Sequence, residues 1–379
     1  MSIYIGADLV PTESNNDLFT QGNADELIGK ELKELLDGAD YRIFNLETPL
    51  ADEATPILKG GPNLIAPTAT IAGLKSIGVD LFSIANNHIM DQDVQGLDTT
   101  RCVISENGIS YVGVGDNLED AAKPYFFEVK GKRFGVYSCV EHEFSIATPE
   151  KSGANPFDPL ESFDEIEEMK KKCDFAIVLY HGGKEHYRYP SPDVQKICRK
   201  FADKGADLII CQHSHCIGCE EKHANATIVY GQGNFLFDHS KKEFWQTGLL
   251  VRVEDDLSIS YVPVVKTENK VRLAVGERAA EILDAFRTRS EEIKDPDFIQ
   301  KKYAEFADTM IDAYLWRLSG KKTGYFYAGL RKLFGGRILR AYIDKKLNIK
   351  RIVAIENIIE CEAHRELLLQ GLNNKKANK

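Results

Sequence analysis

The sequence lacks an apolar run of about 18 residues, the length that a membrane-spanning helix needs. It also lacks an N-terminal basic segment followed by an apolar one, the pattern of a secretory signal. Positive charge is scarce, because 48 Lys and Arg stand against 58 Asp and Glu and give a formal net charge of −10. Binding to nucleic-acid phosphates needs clustered Lys and Arg, so this balance argues against a nucleic-acid partner. The sequence predicts a cytoplasmic protein with no transmembrane segment, acting on a small molecule, an anionic polymer or a protein partner.

Several motifs of common enzyme classes are also missing. Gly231-Gln232-Gly233 is not followed by Lys and Ser or Thr, so it is no phosphate-binding P-loop, and the chain has no Gly-x-Ser-x-Gly nucleophile elbow. The eight cysteines are scattered, several of them inside apolar runs, which is typical of free core thiols in a reducing compartment. Cys216 and Cys219, with Cys211 and either His213 or His215, offer an alternative structural zinc site. We favour the interpretation that these thiols pack in the core.

The sequence does contain short apolar runs that alternate with amphipathic segments, which predicts a layered α/β domain. Strands are expected at 3–5, 41–46, 80–85, 110–114, 175–180, 207–211, 227–230, 247–253 and 257–265, with a hairpin over 125–140. Helices are expected at 25–36, 70–77, 94–106, 161–172 and 193–204. Beyond residue 266 the pattern becomes helical and charged, so we predict a domain at 1–265 and a helical C-terminal region at 266–379.

Polar side chains follow these strands at the point where each strand ends. The carboxyl ends of strands in an open α/β sheet face one crevice, where ligands bind. Any one of these side chains alone is more simply a turn former or a core residue, but five placements on one edge argue against coincidence. On an extended backbone, two histidines two residues apart point the same way. The candidates are Asp8, Glu47, Asn87 with His88, His181, and His213 with His215.

These ligand types indicate a metal centre. Carboxylate, amide oxygen and imidazole together suit Mn²⁺, Zn²⁺ or Fe²⁺ better than Mg²⁺ or Ca²⁺, which prefer oxygen ligands only. The set is too large for one tetrahedral ion but fits two divalent ions bridged by a carboxylate, roughly 3.5–4 Å apart. Such a pair activates a water molecule, so the sequence predicts hydrolysis.

The order of these motifs resembles the CapA family of bacterial capsule and poly-γ-glutamate synthesis proteins, within the calcineurin-like metallophosphoesterase superfamily. The resemblance spans about residues 3–265 and implies a four-layer αββα sandwich followed by a helical C-terminal region. It rests on Gly6-Ala7-Asp8, Asn45-Leu46-Glu47-Thr48-Pro49, Ala85-Asn86-Asn87-His88 with Asp91, His181-Gly182, His213-Ser214-His215, and Tyr230-Gly231-Gln232-Gly233-Asn234-Phe235-Leu236-Phe237-Asp238.

The resemblance also implies a role for each candidate. One ion would be held by Asp8, Glu47 and His215. The other would be held by the bridging Glu47 and by Asn87, His181 and His213, with His88 as the acid that protonates the leaving group. The chain departs from the pattern at Gln212, where phosphoesterase relatives carry Gly, and Asp8 is not followed two residues later by His.

Three functions therefore follow from the resemblance. The first is phosphoester hydrolysis linked to capsule or cell-surface polymer synthesis, and the second is hydrolysis of a γ-glutamyl amide. The third is a non-catalytic accessory role that holds a polymer or a polymer-synthesis enzyme. The aromatic and basic patch at 325–340, with Arg331, Lys332, Arg337 and Arg340, is expected to be a solvated helix face rather than a surface for anions.

Overall fold

The structure is a computed structural model and describes residues 1–237, 240–318 and 337–377. It divides into two compact units, Met1–Gln300 and Lys301–Lys379. The strands, in chain order, are β1 Ile3–Val10, β2 Tyr41–Leu46, β3 Leu81–Ser83, β4 Ser110–Val112, β5 Val114–Gly115, β6 Tyr125–Val129, β7 Lys132–Val140, β8 Gly153–Ala154, β9 Phe175–His181, β10 Leu208–Gln212, β11 Glu220–His223, β12 Ala226–Tyr230, β13 Asn234–Phe237, β14 Thr247–Val253, β15 Ile259–Thr267 and β16 Lys270–Leu273.

Helices fill most of the connections between these strands and dominate the C-terminal part. They are α1 Asn16–Gln21, α2 Ala24–Ile28, α3 Lys30–Asp37, α4 Ile71–Ile77, α5 Asp93–Glu106, α6 Leu118–Ala121, α7 Ser162–Lys170, α8 Pro192–Asp203, α9 Gly276–Glu292, α10 Phe298–Leu318, α11 Arg337–Lys346, α12 Ile349–Glu360 and α13 Glu362–Ala377.

Most strands belong to two large sheets. The first has the order β16-β15-β14-β1-β2-β3-β4, with β13 also paired to β1, and the second has the order β11-β12-β10-β9-β7-β6. In the first sheet β1 to β4 and β13 run parallel, and in the second β7, β9, β10 and β12 run parallel. Parallel strands present their carboxyl ends at one edge of each sheet, which is where the candidate ligands lie.

Alternating side chains decide how the two sheets pack. Successive residues of a strand point to opposite faces, and in β9 Ile177 and Leu179 enter the core between the sheets, while Val178 faces the helices. In β1, Ile5 lies between the sheets and Tyr4 lies on the helical side. The predicted four-layer αββα sandwich is therefore confirmed, with a core on each side of each sheet.

Helices cover the two outer faces. On the first sheet, Leu36 of α3, Leu74 of α4 and Leu97 of α5 are fully buried in one core. On the second sheet, Ile166 of α7 and Phe201 of α8 are fully buried in another. The apolar positions recur at helical spacing, so each helix buries one stripe and leaves its charged face in water.

Two predicted elements are interrupted by glycine. The helix expected at 25–36 is two helices, because Gly29 takes a φ of 80° between α2 and α3. The strand expected at 110–114 stops at Val112, because Gly113 has a φ of 91° and sends Val114 into a separate two-stranded sheet. Such positive φ angles are accessible to glycine at little steric cost.

The first compact unit extends past the predicted boundary at residue 265. Strand β16 pairs with β15, and Ile282 and Phe286 of α9 are buried in the core between the sheets. These contacts carry the unit to Gln300. The division of the chain at 265, drawn from the change in sequence pattern, stays a prediction about where the family domain ends.

The second unit is helical in its described part. Trp316 and Ile343 form a small buried cluster, with the Trp316 ring edge-on to Tyr342 at a centroid distance of 5.6 Å. Arg340 pairs with Asp312 at 3.2 Å. The rest of the predicted basic and aromatic patch, including Arg331 and Lys332, lies outside the described residues, as does the side chain of Arg337. Within the described residues no helix has the length and apolar character to cross a membrane.

The core between the sheets gives a test of this architecture. Leu208→Ala removes a fully buried side chain from the inter-sheet core and should lower the free energy of unfolding by about 2–5 kcal/mol. Leu160→Ala, at a position that is 79% exposed, should change it by less than about 0.5 kcal/mol. Urea unfolding followed by circular dichroism measures both. Equal effects of the two substitutions would contradict the sandwich.

Candidate metal centre

The candidate ligands come from both sheets and meet at one edge. Asp8 lies within β1 and Glu47 directly follows β2, while His181 ends β9. Asn87 follows β3, and His213 follows β10. Asp8 and Glu47 are fully buried, and Asn87, His181, His213 and His215 are each no more than 6% exposed. The structure thus brings together six residues that are spread over more than two hundred positions of sequence.

Ligand atoms of these residues form two groups that share one carboxylate. In one group the atoms of Glu47, His181 and His213 lie within 4.8 Å of one another, and in the other those of Asp8, Glu47 and His215 do so. These are the His, Asp and Glu residues that the family resemblance implies for the two ions, and their role as ligands stays a prediction. A carboxylate shared between two such groups is the arrangement expected for a bridging ligand.

The atoms around His181 fit a cation better than a proton. Nε2 of His181 lies 3.3 Å from Glu47 Oε1, 3.1 Å from Asn87 Oδ1 and 3.2 Å from His213 Nδ1. One ring proton can serve only one of these three atoms. Among the described residues, Asp8 Oδ2 and both carboxylate oxygens of Glu47 are buried without a hydrogen bond. Buried polar atoms are rarely left unsatisfied, so this donor set fits divalent ions.

Burial and mutual charge shift the protonation of these groups. Burial together with the neighbouring Asp8 raises the pKa of Glu47 to about 8. Burial lowers the pKa of His215, but Glu47 and Asp8 outweigh it and raise that pKa to about 9. Burial lowers the pKa of His181 to about 4. Without a metal, therefore, Glu47 and His215 hold protons that a bound ion would displace.

The histidine pair departs from the predicted extended backbone. Strand β10 ends at Gln212, and His213 and His215 have φ angles of 83° and 53°. Left-handed conformations are uncommon for residues other than glycine, and they cluster at functional sites where the surrounding structure holds them in place. The expectation of an extended pair was wrong, and a strained turn rather than strand alternation directs the two rings into separate groups.

Asparagine side chains that sequence reasoning did not single out support the ligands. Asn45 Nδ2 donates to Asp8 Oδ1 at 2.8 Å, and Asn86 Nδ2 donates to Asn45 Oδ1 at 3.2 Å. Asn234 Oδ1 lies 2.9 Å from His215 Nδ1. All three residues belong to the motifs that carry the family resemblance. That membership was the available signal, and a hydrogen-bonding partner fixes the orientation of a ligand side chain.

Gln212, the departure from the family pattern, links the two sheets beneath the site. Its Nε2 donates to Gly6 O and to Gln232 Oε1, each at 3.3 Å. Gln232 Nε2 in turn donates to Ile5 O at 2.8 Å. The Gln212 side chain therefore occupies the space between β1 and β10 and is held there through its Nε2, while its buried Oε1 has no hydrogen bond among the described residues.

His88 is positioned by a buried ion pair. Its Nδ1 lies 2.6 Å from Asp91 Oδ2, and Lys59 pairs with Asp91 Oδ1 while lying 3.2 Å from the same ring nitrogen. Asp91 is fully buried and Lys59 is 3% exposed, whereas the His88 side chain is 13% exposed. Because Nδ1 is held in this way, Nε2 is the ring nitrogen that remains for a substrate.

Three glutamates near the ligands were missed by the sequence reasoning. Glu143 Oε2 accepts a hydrogen bond from Asn87 Nδ2 at 3.2 Å, and Glu141 Oε1 lies 3.7 Å from His213 Nε2. Burial raises the pKa of Glu185, but the charges of His213 and His215 outweigh it and lower that pKa. Glu141 directly follows β7, so its position at a strand end was a signal that could have found it.

The alternative zinc site made of cysteines gains no support. Within the described residues, both groups of possible metal ligands contain only His, Asp and Glu. Cys216 and Cys219 are fully buried, and burial raises the pKa of Cys216 to about 11. A protonated thiol is a poor metal ligand. These cysteines pack in the core, as the favoured interpretation of the sequence held.

The fold is thus a four-layer αββα sandwich with a group of candidate metal ligands at the edge that its two sheets share. A family model described as bacterial capsule synthesis protein PGA_cap matches residues 5–239, and the chain belongs to this family. The predicted resemblance to the CapA family is confirmed.

Individual relatives match only part of this chain. The capsule biosynthesis protein CapA of Bacillus anthracis is 28% identical over 222 residues, which cover 56% of this chain and 54% of that protein. The PGA biosynthesis protein CapA of Bacillus subtilis is 27% identical over 223 residues, covering 58% of this chain and 59% of that protein. The chain therefore spans little more than half the length of these relatives.

Solved structures with a similar fold include phosphatases and nucleotidases. A novel phosphatase of Mycoplasma pneumoniae is 15% identical, with a TM-score of 0.43 over 71% of this chain and 94% of that one. A 5′-nucleotidase precursor of Thermus thermophilus is 13% identical, with a TM-score of 0.40 over 76% of this chain and 59% of that one. The assignment rests on the observed layers and the family match rather than on these likenesses.

The raised pKa values predict how metal binding depends on pH. The folded pKa values of Glu47 and His215, about 8 and about 9, lie above the ordinary values of 4.5 and 6.5 for these side chains. The metal-free protein therefore loses stability as the pH rises from 4.5 to about 8 for Glu47 and from 6.5 to about 9 for His215. Because Mn²⁺ must displace these protons, the rise in melting temperature that it causes should grow from about pH 6 to about pH 8.5.

Thermal unfolding with and without Mn²⁺ measures this effect. Glu47→Gln serves as the control, because a glutamine holds no proton to lose, and the metal-free variant should depend less on pH over the same interval. A Mn²⁺ effect that stays constant with pH would contradict the assigned ligands.

Proposed function

We propose that the protein is a metal-dependent hydrolase whose substrate is a phosphoester. The observation that carries the proposal is Glu47, a fully buried carboxylate shared by two groups of ligand atoms. Asp8, Glu47 and His215 would hold one divalent ion, and Glu47, Asn87, His181 and His213 the other, with Mn²⁺, Zn²⁺ or Fe²⁺ suiting these ligands. Such ions lower the pKa of a water molecule toward neutrality and polarise a phosphoryl oxygen.

The chain itself would supply the proton for the leaving group. His88 would donate from Nε2 to the departing oxygen, because Asp91 and Lys59 engage its Nδ1. Asp91 is a positioning residue, since it touches the ring and not the substrate. Asn45 and Asn234 would hold Asp8 and His215 in their orientations. Proton transfer by a positioned histidine contributes about 10²–10⁴-fold to the rate.

We propose that this activity serves the synthesis of capsule or poly-γ-glutamate polymers, and membership of the family supports the proposal. Relatives carry the names capsule biosynthesis protein and probable polyglutamine synthesis accessory protein. For this chain the pathway, and with it a partnership with polymer-synthesis enzymes, is part of the proposal. The cytoplasm is the compartment we propose, supported by the eight cysteines, none of which forms a disulfide among the described residues.

A γ-glutamyl amide is the second candidate substrate, and the acidic residues near the ligands favour it. Glu141, Glu143 and Glu185 add negative charge beside the ligands. They would repel a phosphomonoester dianion more than γ-glutamyl p-nitroanilide, a zwitterion without net charge. Parallel assays with phosphomonoesters, phosphodiesters and γ-glutamyl p-nitroanilide separate the two candidates. Turnover of the anilide alone would replace the phosphoester in the proposal.

A non-catalytic accessory role is the third candidate. In the second unit, Leu368 and Leu372, one turn apart on α13, are 47% and 49% exposed, and they line one depression with Ile358 of α12, which is 39% exposed. Exposed apolar patches mark interaction surfaces. Leu368→Ser with Leu372→Ser should abolish partner binding and leave hydrolysis unchanged if this surface serves assembly.

The hydrolase proposal is tested by His88→Asn in Mn²⁺-loaded protein. The substitution should lower kcat by about 10²–10⁴-fold, because it removes the proton donor. Metal analysis should still find two ions per chain, since His88 is not among the ligands. Steady-state kinetics with phosphomonoester and phosphodiester substrates measure the first effect.

His223→Asn is the matched control. His223 pairs with Asp203 at 2.9 Å on the outer side of the second sheet. Its substitution should therefore leave kcat unchanged. His215→Ala should abolish turnover and reduce the metal content. Hydrolysis that persists in His215→Ala, or that needs no metal, would contradict the proposal.

A further inference from the structure

A pocket of about 610 Å³ lies beside the metal centre. One of its lining residues, Thr48, directly follows the ligand Glu47, and another, Val10, is two residues beyond Asp8. A third, Phe237, sets its ring edge-on to the ring of His215 at a centroid distance of 5.6 Å. The pocket therefore adjoins the ion that Asp8, Glu47 and His215 would hold.

One wall of the pocket is fixed to the residues that position His88. Leu64 lines the pocket, and its backbone N–H donates to Asp91 Oδ2 at 2.6 Å. Gln92 Nε2 donates to Leu64 O at 2.9 Å, and Thr55 N–H donates to Gln92 Oε1 at 2.7 Å. These hydrogen bonds hold the loop from Thr55 to Leu64 at both ends, to Gln92 and Asp91, so this wall of the pocket has a fixed position relative to His88.

The lining combines apolar surface with neutral hydrogen-bonding groups. Leu64, Ile65 and Phe237 supply apolar surface, and Thr12 and Asn63 supply a hydroxyl and an amide. Asn63 Oδ1 is buried without a hydrogen-bond partner among the described residues. Asn63 Nδ2 donates to Ile57 O at 3.0 Å, so the amide of Asn63 is turned toward its own loop, and the Thr12 hydroxyl is the group that a ligand in the pocket would meet.

Charge in the lining excludes an anionic occupant. The described lining residues include no Lys or Arg, and their single charged side chain is the exposed carboxylate of Glu13. An anion in this pocket would lose hydration without gaining a cation, which is unfavourable. The glutamates near the metal ligands add to the same negative field.

We propose that this pocket binds an uncharged, hydroxyl-bearing ring of the substrate, of nucleoside or monosaccharide size, next to the hydrolysed bond. The inference rests on the proposed hydrolase function and narrows its substrate to a small molecule rather than a polyanionic chain. The pocket volume lies within the roughly 300–1,000 Å³ of small-molecule sites. The ring would pack on Phe237 and Ile65, and its hydroxyl groups would reach the hydroxyl of Thr12.

Calorimetric binding to the full chain tests the pocket independently of turnover. The probes are thymidine, N-acetylglucosamine and tri-γ-glutamate, which represent a nucleoside, a sugar and a polyanion. Ile65→Trp fills the pocket and should weaken binding of the neutral probe about tenfold or more. Leu58→Trp, on the same loop at a position that is 87% exposed and outside the lining, should change it less than about twofold.

The probes also separate the sources of the ring. Preferential binding of thymidine identifies a nucleoside, and preferential binding of N-acetylglucosamine identifies a sugar. Glu13→Lys should strengthen the binding of tri-γ-glutamate, because it reverses the charge at the rim. Binding of tri-γ-glutamate by the unaltered protein as tightly as the neutral probes overturns the inference, and so does the absence of binding by both neutral probes.

Kinetics distinguish the failure of this inference from the failure of the hydrolase proposal. With the p-nitrophenyl ester of thymidine 5′-monophosphate, Ile65→Trp should raise KM about tenfold, while methyl p-nitrophenyl phosphate, which leaves the pocket empty, is hydrolysed at an unchanged rate. If Ile65→Trp changes the kinetics of both esters equally, the inference that the pocket binds a ring of the substrate is overturned. If neither of these diesters nor a phosphomonoester is hydrolysed while the neutral probes still bind, the hydrolase proposal is overturned and the pocket is not.

Discussion

Two carboxylates buried side by side at the edge of the sheets are the constraint on which the site depends. Asp8 and Glu47 are fully buried, and three of their four oxygens have no hydrogen bond among the described residues. Like charges in a medium of low dielectric repel strongly. The chain must therefore protonate Glu47 and His215 or bind cations there, and the convergence of His181, Asn87 and His213 on one point favours cations. The stability of the site is thus coupled to metal and pH.

The sandwich provides the rigidity that such a site needs. Parallel strands from two sheets end at one edge, and cores on both faces of each sheet hold them in place. Against this framework the chain tolerates left-handed backbone at His213 and His215, because Gln212 and Asn234 anchor the turn by hydrogen bonds. Strained conformations persist only where their surroundings over-determine them.

The charges around the candidate ligands would act differently on the reacting group of the proposed substrate and on the rest of that molecule. Divalent ions would attract an anionic or electron-rich reacting group, whereas Glu141, Glu143 and Glu13 oppose negative charge further out. Together with the neutral pocket lined by Leu64 and Phe237, this pattern favours a small substrate with one reacting group. Family membership alone suggests a polymer as the substrate, whereas the local charges support a small molecule.

The sequence by itself determined the alternation of strands and helices, the edge where the candidate ligands lie, and the six candidates with His88, because these residues follow short apolar runs bounded by turn residues, the pattern of buried strands. Tertiary structure alone decided the rest. It placed Glu141 and Glu143 beside those candidate ligands. It directed the rings of His213 and His215 into two different groups of ligand atoms, and it formed a pocket from segments near residues 12, 48, 64 and 237. Periodicity reports which face of one element is buried, but it carries no information on which distant side chains share a cavity, since that depends on how the layers pack.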